Sequence, residues 1–199
     1  PESNPKRINP PEKGGKNWCR KELTLHLKEI LKSKKKTIIG IDHGLSFPYN
    51  FFKKHNLKNW DRMVAFVSKT WKTSHDDVTV EDARKAVGSP GQATDYRLTE
   101  KWTPAAKSVF HFDVQGSVAK STHAGIPWIY EIIQDAEIRN RTHFWPFDGF
   151  EVQPDKNVVA EIFPSLFRRR YDKGKRSDDQ HDAFVVSAWL RDMDKRGLL

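Results

Sequence analysis

Apolar positions along the chain follow helical spacing in some segments and short continuous runs in others. Over residues 17–36, Leu23, Leu27, Ile30 and Leu31 share one face with lysines elsewhere, which predicts an amphipathic helix. The run Thr37, Ile38, Ile39, Gly40, Ile41 is short, β-branched and almost uninterrupted, the pattern of a central strand covered on both faces. Asp42 follows at once. Residues 61–71 carry Met63, Val64, Phe66 and Val67 on a helical face, and residues 79–87 open on a Thr79-x-x-Asp82 cap and stop before Gly88. Between 89 and 107 no period emerges, and a loop of that length is usually functional or mobile.

Farther on, residues 109–112 read as a strand or an extended segment. A helix is expected over 127–138, with Pro127 in its first turn and Ile129, Ile132, Ile133 and Ala136 facing inward. Strands are expected over 142–145 and 157–163. A terminal helix over 177–195 is announced by the capping pair Ser177 and Gln180 and by the face of Val185, Val186, Trp189 and Leu190. Strands separated by helices place the chain in the α/β class. Residues 1–16, rich in Pro, Lys and Gly, read as a flexible basic arm, and 17–199 as a single α/β domain. About four strands is few for such a fold, and the shortfall is expected to reflect strands preceding Pro1.

Composition narrows the class further. Apolar residues make up 37% and charged residues 31%, which suits a globular domain rather than a disordered one. No apolar run approaches the roughly 18 residues a bilayer span needs, and the first residues lack a secretory signal's apolar core, so no membrane partner is expected. Cys19 is the one cysteine, which points to a reducing, cytoplasmic setting. Formal net charge is +9, and residues 1–36 hold eleven Lys/Arg against four Glu. A second cluster comprises Arg168, Arg169, Arg170, Lys173, Lys175 and Arg176. Such clusters favour polyanions, nucleic acid among them, although a solvated face explains many charge runs equally well.

Three acids stand in apolar surroundings. Asp42 ends the expected central strand, where open α/β sheets place their ligands. Glu161 lies inside Val158-Val159-Ala160-Glu161-Ile162-Phe163, and Asp182 falls in register with Val185, Val186 and Trp189. Each has an ordinary explanation beside the functional one. Asp42 would cap the turn that follows, Glu161 would meet solvent or an arginine of the 168–170 run, and Asp178, Asp179 and Asp182 would serve a helix N-terminus. Together they suggest a Mg²⁺ or Mn²⁺ site, because hard divalent ions take oxygen ligands and two of them support phosphodiester cleavage.

The segments IIGIDHGLSFP, GSVAKSTHAGIPWI, FWPFDG, VVAEIFPSLFRRRY and DDQHDAFVVSAWL occur in this order over roughly residues 18–195. In that order the chain resembles a family of uncharacterised bacterial and archaeal proteins described as a domain of unknown function with a ribonuclease-H-like fold. The resemblance implies a mixed five-stranded sheet flanked by helices, with an acidic cluster that binds divalent metal in the active nucleases. Carried over residue by residue, it implies that Asp42 matches the strand-end aspartate, Glu161 an acid on a later strand and Asp182 the acid of the last helix. Asp179 is the substitute for Asp182. Ribonuclease-H-like enzymes carry their leading aspartate on the first strand of a meander that precedes any helix. Here the helix-like segment 18–35 comes first, so either the leading acid is absent and catalysis impaired, or the fold is permuted or degenerate; absence is the favoured expectation.

Other signals weigh less. Residues 115–122 look superficially like a phosphate-binding loop, but Val114 and Ala119 stand where that loop needs glycines, leaving Lys120 as a phosphate contact. His43, His111, His123, His143 and His181 show no zinc spacing; a surface histidine explains His181 better than proton transfer does. Most tryptophans sit at core spacing, with Trp102 in the long loop the exception. No Gly-x-Ser-x-Gly elbow is present. The leading expectation is a Mg²⁺- or Mn²⁺-dependent nuclease or phosphodiesterase, with Asp42, Glu161 and Asp182 at its centre, Asp179 as a further ligand, and Lys120 and Arg168, Arg169 and Arg170 on the phosphates. The alternative is a non-catalytic nucleic-acid- or partner-binding module with a degenerate site, and a third reading is an enzyme for a small phosphorylated metabolite. Oligomeric state is open.

Overall fold

A computed structural model describes residues 4–11, 17–75 and 77–199. The first helix, α1 (Arg20–Lys32), begins where Cys19 closes a capping box: its sulfur accepts from the Glu22 N–H at 3.4 Å, and the Glu22 carboxylate accepts from the Cys19 N–H at 3.1 Å. Strand β1 (Ile38–Ile41) follows, then four helices: α2 (Tyr49–Lys54), α3 (Trp60–Thr70), α4 (Val80–Val87) and α5 (Leu98–Trp102). Next come α6 (Ala119–Ile133), α7 (Ala136–Arg141), β2 (Thr142–Trp145) and β3 (Asn157–Glu161). Two 3₁₀ turns, Pro164–Leu166 and Arg168–Arg170, lead into α8 (Asp178–Lys195). The caps expected at Thr79/Asp82 and Ser177/Gln180 both form.

The sheet is open and parallel, in the order β1-β3-β2. Ile41 pairs with Glu161 and Trp145 with Ala160, so all three strands deliver their carboxyl ends to the same edge. The resemblance implies five strands in a mixed sheet; the described residues form three, all parallel. Residues 109–112 are not a strand among them. Val109, Phe110 and Phe112 are instead buried in turns beneath α6. At the opposite edge of the sheet, the Asn157 side chain accepts from the Thr37 N–H at 3.1 Å and donates to the Leu31 carbonyl at 2.9 Å. One amide thereby aligns α1, β1 and β3.

One face of the sheet packs on α3 and α6, where Trp60 meets Phe144 at 5.2 Å and Phe147 lies flat on Trp60 at 4.8 Å. The other face takes α8. Gly40 permits that approach, because a Cβ there would lie 2.9 Å from Val186 Cγ1.

Pro127 lies inside α6 rather than in its first turn, a correction to the expected helix start. Proline has no N–H for the carbonyl four residues back, that of His123. The Thr73 hydroxyl donates to that carbonyl at 3.2 Å, so the interruption leaves no orphan. His123 itself is fully buried among Phe47, Trp71 and Phe112, with Nδ1 donating to the Ala119 carbonyl at 2.8 Å. Burial pushes its pKa down to about 3.

The expected basic arm, 1–16, lies outside the described residues at 1–3 and 12–16. Within 4–11, the Ile8 carbonyl accepts from the Trp18 indole at 3.2 Å. No described helix is long and apolar enough to cross a membrane.

Candidate functional site at the carboxyl edge of the sheet

Asp42 leaves β1 at its last residue and occupies the bend beyond it. Its carboxylate accepts no hydrogen bond among the described residues, so the capping role does not hold. Desolvation first, and then the charge of Asp182, raise its pKa to about 6; Arg168 pulls the other way, and Glu161 and Asp179 add smaller repulsions. The residue keeps solvent access, so crowding by like charge matters alongside burial. Asp42 therefore feels the charges of Asp182, Glu161 and Asp179, with Asp182 the strongest of the three.

Two arginines divide these acids. Arg97, in the segment before α5, donates to Glu161 at 2.6 and 2.7 Å and to Glu100 at 2.8 Å. Its side chain is 11% exposed and that of Glu100 4%. Burial works against the Arg97 charge, but the two carboxylates outweigh it and hold the guanidinium above its usual range. The Leu45 N–H adds a further bond to Glu161, at 2.9 Å. Glu161 therefore finds its arginine in the long loop and not in the 168–170 run.

Arg168 belongs to Asp182, with Nε donating to Oδ1 at 2.6 Å and a terminal nitrogen meeting Oδ2. Its side chain is 44% exposed, and that of Asp182 17%. His181, expected at the surface, is buried, and Nε2 donates to the Arg168 carbonyl at 3.2 Å, tying the 3₁₀ turn to α8. Arg169 and Arg170 are exposed, with no side-chain hydrogen bond or ion pair among the described residues. Asp179 is exposed on the first turn of α8.

The remaining candidates lie elsewhere. Lys120 pairs with Glu81 of α4 at 2.6 Å. In the same stretch, the Thr122 hydroxyl accepts from the Gly44 N–H at 2.8 Å, so it braces the turn after Asp42. Among the described residues no group of three or more His, Cys, Asp or Glu side chains stands ready to hold a metal ion. Sequence reasoning missed Arg97 and Thr122. The i, i+3 pairing of Arg97 with Glu100 was a visible signal, but nothing linked either to Glu161.

No protein-family model matches this chain, and no curated protein or solved structure matches it either.

Proposed function

We propose that this chain is a divalent-cation-dependent phosphodiesterase of ribonuclease-H-like type that acts on nucleic acid, with Asp42 and Asp182 at its centre. The observation that carries the reading is Asp42 at the carboxyl edge of a parallel sheet, within reach of the charges of Asp182, Glu161 and Asp179 and of Arg168, which begins an exposed run of three arginines. Oxygen donors of this kind suit Mg²⁺ or Mn²⁺. Asp42, without a hydrogen-bonded partner and pressed by three other carboxylates, is where a cation relieves the most repulsion. Glu161 does not fit the ligand role, since buried Arg97 and the Leu45 N–H occupy both its oxygens. Asp182 fits once Arg168 turns away, and Arg168, 44% exposed, is open to a competing anion. A phosphate is a strong competitor for a guanidinium. Substrate phosphate at Arg168 would therefore free Asp182 to act as a second oxygen ligand beside Asp42. When bound, the cation supplies an activated water and offsets charge on the leaving oxygen.

The test is Mn²⁺ binding by calorimetry, with cleavage of labelled single- and double-stranded DNA and RNA, for the protein, Asp42→Asn and Asp182→Asn. Binding and cleavage lost in both variants support the reading, and unchanged Mn²⁺ affinity in both overturns it.

A second reading, a nucleic-acid-binding module without catalysis, is favoured by one observation: both Glu161 and Asp182 already carry an arginine on each oxygen pair. It expects binding that weakens steeply with salt and has no metal requirement.

A further inference from the structure

Paired residues on adjacent strands point to the same side of a sheet, so Gly40, Ala160 and Trp145 share a face. Gly40 identifies it as the face of α8, where Val186 and Leu190 stand within 3.4 Å of its missing Cβ. Asp182 sits one turn before Val186 on that helix and acts directly on Asp42. Trp145 is therefore on the same side of the sheet as the two aspartates. Two interstrand steps of about 4.8 Å and two residues of rise put its Cα roughly 12 Å from that of Asp42. That distance is about three or four stacked nucleotides at 3.4 Å each.

Trp145 is 38% exposed and Phe150 79%. Their rings meet edge to face, with centroids 6.0 Å apart and planes at 77°. The turn between them is held from below. Asp148 accepts from the Phe144 N–H at 2.8 Å and from Arg139 at 2.7 Å twice over, and His143 Nε2 donates to the Gly149 carbonyl at 3.0 Å. A partly exposed indole and a largely exposed phenyl ring on a braced turn are ready-made contact area, with little ordering left to cost on binding.

We propose that Trp145 and Phe150 form a stacking platform for unpaired bases, so that the polyanion this protein binds is a single-stranded nucleic acid running from the platform past Asp42 to Arg168, Arg169 and Arg170. The inference rests on the nucleic-acid reading above and names its substrate class. Charge selects the occupant, since the far end of the path offers Arg169 and Arg170, both exposed and without a side-chain partner among the described residues. Stacking selects the strandedness: aromatic rings take the faces of splayed bases, which a duplex hides between its pairs.

The experiment is fluorescence anisotropy with labelled oligo-dT and oligo-U of about twelve nucleotides, and with the matching duplex, in EDTA at fixed low salt. Trp145→Ala with Phe150→Ala is expected to weaken single-strand binding about tenfold or more, Phe150→Ala alone to weaken it less, and Trp145→Phe to retain most of it. Phe150 is a surface residue, so its variant remains informative even where loss of Trp145 disturbs the fold. Unchanged affinity in these variants, equal affinity for the duplex, or no oligonucleotide binding by the parent protein overturns the platform. A cleavage assay with Mn²⁺ runs in parallel. Binding lost in the variants without cleavage by the parent protein keeps the platform and removes the nuclease; Asp42-dependent cleavage with variant binding intact does the reverse.

Discussion

The guanidinium of Arg168 meets both carboxylate oxygens of Asp182, while Asp42 faces the same two side chains and bonds to neither. Asp182 raises the Asp42 pKa and Arg168 lowers it. The state of one ion pair thus bears on how readily Asp42 ionises.

Neutralising that arginine therefore has a readable effect. In Arg168→Gln the Asp42 titration midpoint, followed by carboxyl ¹³C shift, is expected above the parent value of about 6. Stability falls by about 1–3 kcal/mol, because Asp182, whose side chain is 17% exposed, loses its hydrogen-bonded cation. A midpoint that moves toward the ordinary 3.8 contradicts the arrangement.

Asp42→Asn is expected to stabilise the protein at neutral pH. The native carboxyl titrates near 6 and the unfolded one near 3.8, so between these values the native state holds the proton more tightly. Its contribution is least favourable above pH 6 and recovers as pH falls through the window. Removing the charge should raise Tm by about 2 °C at pH 7.5, with screening allowed for, and by less at pH 4.5. Differential scanning fluorimetry across that range checks it; a gain that grows on acidification is the wrong sign.

Arg97 is a different kind of arginine. Its loss leaves Glu161 and nearly buried Glu100 without their cation, and breaking such a buried network costs about 3–5 kcal/mol. Urea unfolding of Arg97→Met should show that loss, and adding Glu100→Gln and Glu161→Gln should recover much of it. A single substitution costing under about 1 kcal/mol would mean the network is superficial.

His123 contributes a slope opposite to that of Asp42. Its native pKa of about 3 lies below the ordinary 6.5, so the unfolded chain takes the proton first. Stability is full above pH 6.5 and declines by about 2 kcal/mol between pH 7 and pH 5. His123→Leu should flatten that part of the profile, whatever its cost at neutral pH. An unaltered slope in the variant would place the acid-sensitive group elsewhere.

Local chemistry made much of this fold legible. Ser177 with Gln180 and Thr79 with Asp82 announce helix starts through bonds that close within three residues, and β1 declares itself by its β-branched run. The place of Asp42 just beyond the end of β1 and the half-buried position of Asp182 on α8 follow from strand ends and helical period alone. The start of α6 was hidden: a proline normally opens a helix, and the hydroxyl that takes up the His123 carbonyl freed by Pro127 comes from Thr73, 50 residues before His123. The Arg97–Glu161 contact, 64 residues apart and begun in an aperiodic segment, left no trace in spacing. Nor did the pairing of Arg168 with Asp182, which decides which acid is available.

The register of the sheet also governs how the chain must assemble. Ile41 finds its ladder partner in Glu161, 120 positions later, and among the described residues β1 has no other neighbour. On a ribosome adding about 5–20 residues per second, the strand Ile38–Ile41 emerges roughly 6–24 s before the segment that pairs with it. For that interval an apolar, pairing-competent strand waits unpartnered, behind Lys34, Lys35 and Lys36, whose charges discourage a neighbouring chain from taking the place of β3.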